Sequence, residues 1–235
     1  MGSTRFPGKP LAEISGVPMV LRVLEKGSAV FGIESTYVVT DDPLIEAVVR
    51  NAGYLAIRVD DEVLTGTDRI AIAASKMKGA SRFYNLQGDE PLVSINDLQA
   101  FREASKKASF EVSNAYIRDS DSARRLSANA IKMVMTQDDL LMYASRSAIP
   151  FKTEDKNPSM SRLQVCMYSF TENALNWFLN CERGPVESAE NIEILRFVEH
   201  GIPVKMVEVF DPSHPVDVPS DVEIVERVLD GREAK

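Results

Sequence analysis

Cysteine is nearly absent from this chain of 235 residues. The two present, Cys166 and Cys181, are too few for a disulfide scaffold, form no Cys-x-x-Cys pair and fit a reducing compartment. Histidine is equally scarce; His200 and His214 form no zinc-binding cluster. No apolar run approaches the roughly 18 residues a spanning helix needs. Met1–Arg5 lacks the apolar stretch of a signal peptide. The expected location is therefore the cytoplasm, with no membrane partner. No Gly-x-Ser-x-Gly elbow is present, which argues against a serine hydrolase. Positive charge is in the minority, with Lys plus Arg 27 against Asp plus Glu 35 and a net charge of −8. A general nucleic-acid binder would show a basic field instead. A local cluster of cations can still hold one nucleotide. Internal repeats, low-complexity tracts and an evident linker are all missing, which predicts one domain over 1–235, elaborated in its second half.

What is present is an ordinary globular composition, 44% hydrophobic and 26% charged, in a chain long enough to bury a substantial core. The most informative stretch is Asn85-Leu-Gln-Gly-Asp-Glu-Pro91. It follows a short strand-like run. Gly88 permits a sharp turn, Asp89 and Glu90 supply carboxylates, and Pro91 stops further pairing. Acid at the C-terminal edge of an α/β sheet lies where ligands bind. Beside a basic glycine-containing loop it suggests a metal holding a phosphate; an acidic surface turn is the competing reading. That loop is Gly2-Ser-Thr-Arg-Phe-Pro-Gly-Lys-Pro10, too rich in Gly and Pro for helix. It does not have the Walker A pattern, and a basic terminal segment explains it equally well.

Periodicity places alternating strands and helices through the first half. A helix opens at Gly16-Val17-Pro18, a strand runs over 36–40, Asp42 caps a helix with Pro43 at its first position, and Gly53 closes it. A strand over 54–59 precedes a helix capped by Thr67, or holding Asp68 in its first turn, that runs to about Met77. Next come a strand over 82–86 and a helix over 94–107. The second half predicts strands over 111–117, 130–136, 143–150, 163–170 and 204–210. A short helix falls within 119–125. Longer ones run from Thr171 to about Cys181, from about Ser188 to His200, and from Ser220 or Asp221 to Leu229. Lys152 to Ser161 reads as a mobile excursion. The alternation argues for an α/β protein with a mostly parallel sheet, mixed where strands follow one another.

Six stretches combine in order: Gly-Ser-Thr-Arg-Phe-Pro-Gly-Lys-Pro-Leu (2–11), Val-Thr-Asp-Asp (39–42), Gly-Thr-Asp-Arg (66–69), Leu-Gln-Gly-Asp-Glu-Pro (86–91), Ser-Arg-Ser-Ala-Ile-Pro (145–150) and Val-Asp-Val-Pro (216–219). With these the chain resembles the cytidylyltransferases that activate 2-keto-3-deoxy sugar acids. The resemblance implies a Rossmann-like nucleotidyltransferase fold with a sugar-binding and dimerising lobe over about 130–200, hence a homodimer. It implies CTP and a sugar acid such as 3-deoxy-manno-octulosonate as substrates, pyrophosphate as product, and a place in lipopolysaccharide or capsule synthesis. Such a transfer needs alignment and neutralised charge more than covalent chemistry. By the same resemblance Ser3, Arg5, Lys9, Arg69 and Gln87 hold the nucleotide. Lys9, Arg5 and Asp89 are catalytic, and Asp89 with Asp217 binds Mg²⁺. Arg146, Gln164, Tyr168, Glu190 and Glu193 face the sugar, Arg146 being suited to a carboxylate.

Three departures bear on substrate. Gln164 stands where many members have His, Ile194 where many have Gln, and Cys166 lies close by. They leave room for an 8-amino octulosonate or a nonulosonate. At the front, the family has a strand ending in Pro-Ala-Arg immediately before the first loop, whereas Met1 falls inside that motif. This predicts either a longer protein or a truncated, nucleotide-binding paralogue without activity.

Overall fold

The computed structural model describes residues 6–107, 109–151, 161–211 and 214–231. Ser3, Arg5 and the excursion at 152–160 lie outside them. In chain order the elements begin with β1 (Glu13–Ile14), β2 (Val17–Pro18), α1 (Met19–Phe31), β3 (Tyr37–Thr40), α2 (Pro43–Asn51) and β4 (Leu55–Arg58). They continue with α3 (Gly66–Ser75), β5 (Arg82–Leu86), α4 (Ile95–Lys107), β6 (Val112–Asp119) and α5 (Ser122–Leu126). The remainder are β7 (Lys132–Met135), β8 (Leu141–Ser145), β9 (Ser161–Thr171), α6 (Glu172–Asn180), α7 (Pro185–Glu190), α8 (Leu195–Glu199), β10 (Val204–Glu208) and α9 (Pro219–Leu229). Met1–Val63, Leu86–Gln99 and Asp211–Lys235 make one compact unit; Leu64–Asn85 and Ala100–Phe210 make the other.

In the first unit, Ser15 (φ 47°) and Gly16 (φ 74°) turn β1 back onto β2. Two successive left-handed residues suit the twist of a two-residue hairpin. Pro18 is the cap of α1 rather than its first residue, so the helix starts at Met19. Met19, Val20, Val23, Leu24, Gly27 and Val30 are its buried stripe. The Asp42 carboxylate accepts the N–H groups of Leu44 (2.8 Å) and Ile45 (3.4 Å), which starts α2 with Pro43 at its first position. Strands β3 and β4 pair in parallel, Val38 opposite Ala56. Their apolar face joins Val20, Leu24, Ile45 and Val49 in one core cluster. Ile14, Met19, Val216 and Val225 form a second cluster, which seats α9. The basic loop is not wholly irregular. Gly8 (φ 75°) takes the left-handed conformation, and Lys9–Leu11 follows as one 3-10 turn.

In the second unit the sheet order is β10-β6-β9-β7-β8, with β5 also on β9. Strand β10 runs parallel to β6, while the β6–β9, β9–β7 and β7–β8 pairs are antiparallel. The sheet is thus mixed. Its core is a cluster that includes Tyr116, Met133, Phe170, Leu175, Phe178, Ile194 and Phe197, joined by Ala71 and Ala74 of α3. Thr171 caps α6 by accepting the N–H of Ala174, as its position suggested.

Two elements of the second unit differ in extent from the sequence pattern. The helix expected over 188–200 is two helices, because Asn191 adopts φ 53° and ends α7. Asparagine tolerates that conformation, and periodicity does not register it. The strand expected over 143–150 ends at Ser145. Beyond it the Arg146 N–H turns to the Glu190 carboxylate (2.9 Å), and Ile149–Pro150 is a cis bond. No described helix is long and apolar enough to cross a membrane.

Candidate functional site

In the first unit the basic loop at Lys9, the turn at Gly88–Pro91 and the segment before α9 converge. Lys9 Nζ donates to Asp89 Oδ2 at 2.8 Å and lies 3.6 Å from Asp217 Oδ1. Backbone bonds set this up. The N–H of Val216 donates to the Asp89 carbonyl (2.9 Å), so the two carboxylate-bearing segments run side by side. The Asp221 carboxylate in the first turn of α9 accepts the N–H groups of Asp217 (2.7 Å) and Val218 (2.9 Å). Across 128 positions of sequence, Asp89 and Asp217 therefore share one ammonium. One positive charge between two carboxylates leaves a net negative patch. Asp89 Oδ1 is buried and, among the described residues, has no hydrogen-bond partner. A buried carboxylate oxygen in that state costs free energy unless something accepts its lone pairs. Gln87, on the same turn, is half-buried and its carbonyl accepts from the Glu90 N–H (3.3 Å). Glu90 is buried, 4% exposed, and belongs to the turn.

In the second unit Arg146 follows the last residue of β8. Its guanidinium donates to three carbonyls, those of Glu190 (2.9 Å), Ala128 (3.0 Å) and Asn191 (3.3 Å). Among the described residues it makes no direct ion pair with a carboxylate, so its charge remains available to an anion. The Glu190 carboxylate is held by Ser145 Oγ (2.5 Å), Tyr143 Oη (3.1 Å) and the Arg146 N–H (2.9 Å). Burial alone would raise its pKa, but these donors outweigh it and hold the group below the ordinary glutamate value.

Lys132, with no exposed surface, donates to the carbonyls of Ser127 (2.7 Å), Ala130 (2.6 Å) and Arg146. Burial, then the nearby Arg146 charge, lowers its pKa. Lys132 pairs with Ser145 on one side and Leu163 on the other. One position further, just before β7, the Ile131 carbonyl accepts the Gln164 N–H at 2.9 Å, while Arg146 directly follows Ser145 at the end of β8.

Helix α3 begins at Gly66, and its cap is Thr65 rather than Thr67: the Thr65 hydroxyl accepts the Asp68 N–H (3.1 Å) and donates to the Asp68 carboxylate (2.7 Å). The first two N–H groups, of Gly66 and Thr67, bond the Glu193 carboxylate at 3.1 and 2.9 Å. A carboxylate there complements the helix dipole. Asp68 does more than that. It pairs with Arg196 at 2.9 Å, and Arg196 also grips Glu187 through two bonds of 2.7 and 2.9 Å. Burial would lower the Arg196 pKa, but Glu187 and Asp68 hold it above its ordinary value. Arg69 lies in the first turn of α3, half-buried. Tyr168 is inside the core, 7% exposed and stacked on Phe170 at 6.0 Å.

The residues assigned from sequence thus fall into two sets. The first unit brings Lys9, Asp89 and Asp217 together, with Gln87 on the same turn. The second joins Arg146 to Glu190 and Glu193 to α3, bonds Gln164 to Ile131 and Asn114, and places Tyr168 in the core. Sequence reasoning passed over Lys132, Asn114, Glu187 and Arg196. Three of the four stand inside apolar runs, Ile-Lys-Met-Val-Met, Val-Ser-Asn-Ala-Tyr and Ile-Leu-Arg-Phe-Val. A polar residue in such a run was the available signal.

Comparison with known proteins places the whole chain. Residues 1–207 match the model of a family described as cytidylyltransferase. The chain is 36% identical over 234 residues to 3-deoxy-manno-octulosonate cytidylyltransferase 2 of Hydrogenovibrio crunogenus, covering 97% of this chain and 94% of that one. It is 35% identical over 234 residues to 8-amino-3,8-dideoxy-manno-octulosonate cytidylyltransferase of Shewanella woodyi, with the same coverage of 97% and 94%. Among solved structures, a CMP:2-keto-3-deoxy-manno-octonic acid synthetase complexed with CTP superposes with a TM-score of 0.89 at 29% identity, over 99% of this chain and 95% of that one. A putative glucose-1-phosphate thymidylyltransferase from Bacillus anthracis shares the fold, with a TM-score of 0.68 at 12% identity over 99% and 89% of the two chains.

Proposed function

The chain belongs to the cytidylyltransferase family, and from that premise we propose that it transfers CMP from CTP to the anomeric hydroxyl of 3-deoxy-manno-octulosonate or its 8-amino analogue, releasing pyrophosphate. The observation that carries this reading is the Lys9–Asp89–Asp217 cluster, whose Asp89 Oδ1 has no hydrogen-bond partner among the described residues. The similarity to relatives named for both sugar acids supports the substrate class.

The cluster fits Mg²⁺. That ion takes oxygen ligands, keeps several waters and needs only one or two protein carboxylates. Asp89 and Asp217 would hold it. Among the described residues no group of three or more His, Cys, Asp or Glu could hold a metal by itself, which suits an ion completed by water and substrate oxygens. When bound, the ion would neutralise phosphate charge as the α-phosphorus is attacked. Lys9 would then be released from its two carboxylates to face the same phosphates, a point charge on a flexible stem. Arg5, Ser3, Arg69 and Gln87 are the further nucleotide residues of this reading.

On the acid side Arg146 would pair with the carboxylate. Its guanidinium is already held in place by three carbonyls, so little side-chain freedom remains to be lost on binding. Glu190, Glu193, Gln164 and Tyr168 complete the sugar set. Homodimerisation through the second-half lobe and a cytoplasmic location belong to the same proposal.

The test is pyrophosphate release from CTP and each octulosonate with added Mg²⁺. The expected result is stoichiometric CMP-sugar and pyrophosphate with at least one acid, abolished by a chelator. CTP binding without turnover on either acid would reject it and favour a nucleotide-binding paralogue.

A further inference from the structure

Asn114 lies on β6 with no exposed surface, where β6 and β9 slip register between Asn114 and Ala115. The slip lets one side chain reach two carbonyls of the partner strand. Its Nδ2 donates to the carbonyls of Val165 and Met167, both at 3.0 Å. Those oxygens can only accept, so the amide cannot be turned over. Oδ1 must therefore point the other way, where Gln164 Nε2 donates to it at 2.8 Å. A carbonyl oxygen accepts only from a donor, so the Gln164 amide is oriented in turn. Its Nε2 is engaged and its Oε1, an acceptor, is the group left for a ligand.

Gln164 on β9 and Arg146, just past the end of β8, are separated by β7, two strand spacings or roughly 10 Å. We propose that Asn114 sets the hydrogen-bond polarity of the acid site through Gln164, so that the chain selects sugar acids carrying a donor at the end remote from the carboxylate. The inference rests on the octulosonate reading above and narrows it. An acid paired with Arg146 extends over the apolar Ile131 and presents its far hydroxyl or ammonium to Gln164 Oε1. An analogue with hydrogen at that carbon would leave the oxygen desolvated and unpaired, which is where a hydrogen-bonding site gains discrimination. Asn114 touches no substrate in this scheme; it is a positioning residue acting through Gln164.

The test compares kcat/KM, with CTP saturating, for three octulosonates bearing hydroxyl, amine or hydrogen at C8. For the wild-type chain the deoxy acid is expected to fall below both donor-bearing acids by about tenfold or more, chiefly in KM. Gln164→Leu removes the acceptor and should bring the three acids close to parity. Asn114→Leu removes the anchor and should erode the ratio while Gln164 is still present. Because Asn114 is buried and that variant can fail to fold, Gln164→Leu keeps the proposal open to refutation by itself. A wild-type ratio retained in Gln164→Leu, or equal turnover of the deoxy acid by the wild type, overturns the Asn114–Gln164 assignment while leaving the octulosonate reading intact. No CMP transfer to any of the three acids overturns both.

Discussion

Removing the guanidinium of Arg196 should destabilise the second unit more than almost any other single substitution. Arg196 is 2% exposed and Glu187 is fully buried. Two charge-assisted bonds join them, a third reaches Asp68, the carbonyls of Phe178 and Cys181 accept at 3.1 and 3.3 Å, and the guanidinium carbon lies 3.7 Å from the Phe178 ring centroid. In Arg196→Met the side-chain stem is replaced but the Glu187 carboxylate keeps its burial and loses its main partner. Breaking a buried pair in this way costs about 3–5 kcal/mol. Two features point to the lower end. Arg183 Nε remains 3.4 Å from Glu187 Oε1, and Asp68 keeps the Thr65 hydroxyl. About 3 kcal/mol is a large part of a typical total of ~5–15 kcal/mol. At ~2–4 °C per kcal/mol it corresponds to a fall in Tm of roughly 6–12 °C. Equilibrium urea unfolding followed by circular dichroism measures it. The double variant Arg196→Met/Glu187→Met is the informative control. With the fully buried Glu187 charge also gone, and Asp68 keeping the Thr65 hydroxyl, it should recover much of the loss. A single variant costing under ~1 kcal/mol, or a double variant no more stable than the single, would refute the reasoning.

Two further outcomes follow from the site. Asp89→Asn should fold normally, because the Asp89 backbone carbonyl still accepts from Val216, while CMP transfer falls by about 10²–10³ as one charge is lost beside the reacting phosphate; near-wild-type turnover would show that Asp89 holds no metal. Glu190 predicts an acid sensitivity. Its folded pKa lies below the ordinary value of 4.5, so its stabilisation is complete above that value and is lost as pH falls through the folded pKa. Glu190→Gln should therefore be less stable than wild type at neutral pH, and the gap should close in acid; Tm measured across that range checks it, and a gap that is constant with pH contradicts the assignment.

Much of the fold was legible in the sequence because local chemistry decides it. Asp42-Pro43, Thr171 and Gly53 mark helix ends by their own capping and conformational preferences, and β5 is bounded as its apolar pattern implies. Two boundaries failed for different reasons. The β8 strand stops at Ser145 because Glu190, distant in sequence on α7, takes the next N–H, whereas the helix expected over 188–200 breaks where Asn191 turns left-handed, a local event that periodicity does not register. Asp89 and Lys9 stood out by residue type in their loops, and Asp217, Arg146 and Gln164 became candidates through the resemblance to the cytidylyltransferases. Their pairing was not legible in the sequence. That one ammonium serves two carboxylates 128 positions apart, that Arg146 is held by three carbonyls, and that Asn114 orients Gln164 all depend on which backbone carbonyls and carboxylates the fold brings within hydrogen-bond reach. A sequence specifies which groups can donate and accept; only the closed tertiary structure decides which are left over to meet a ligand.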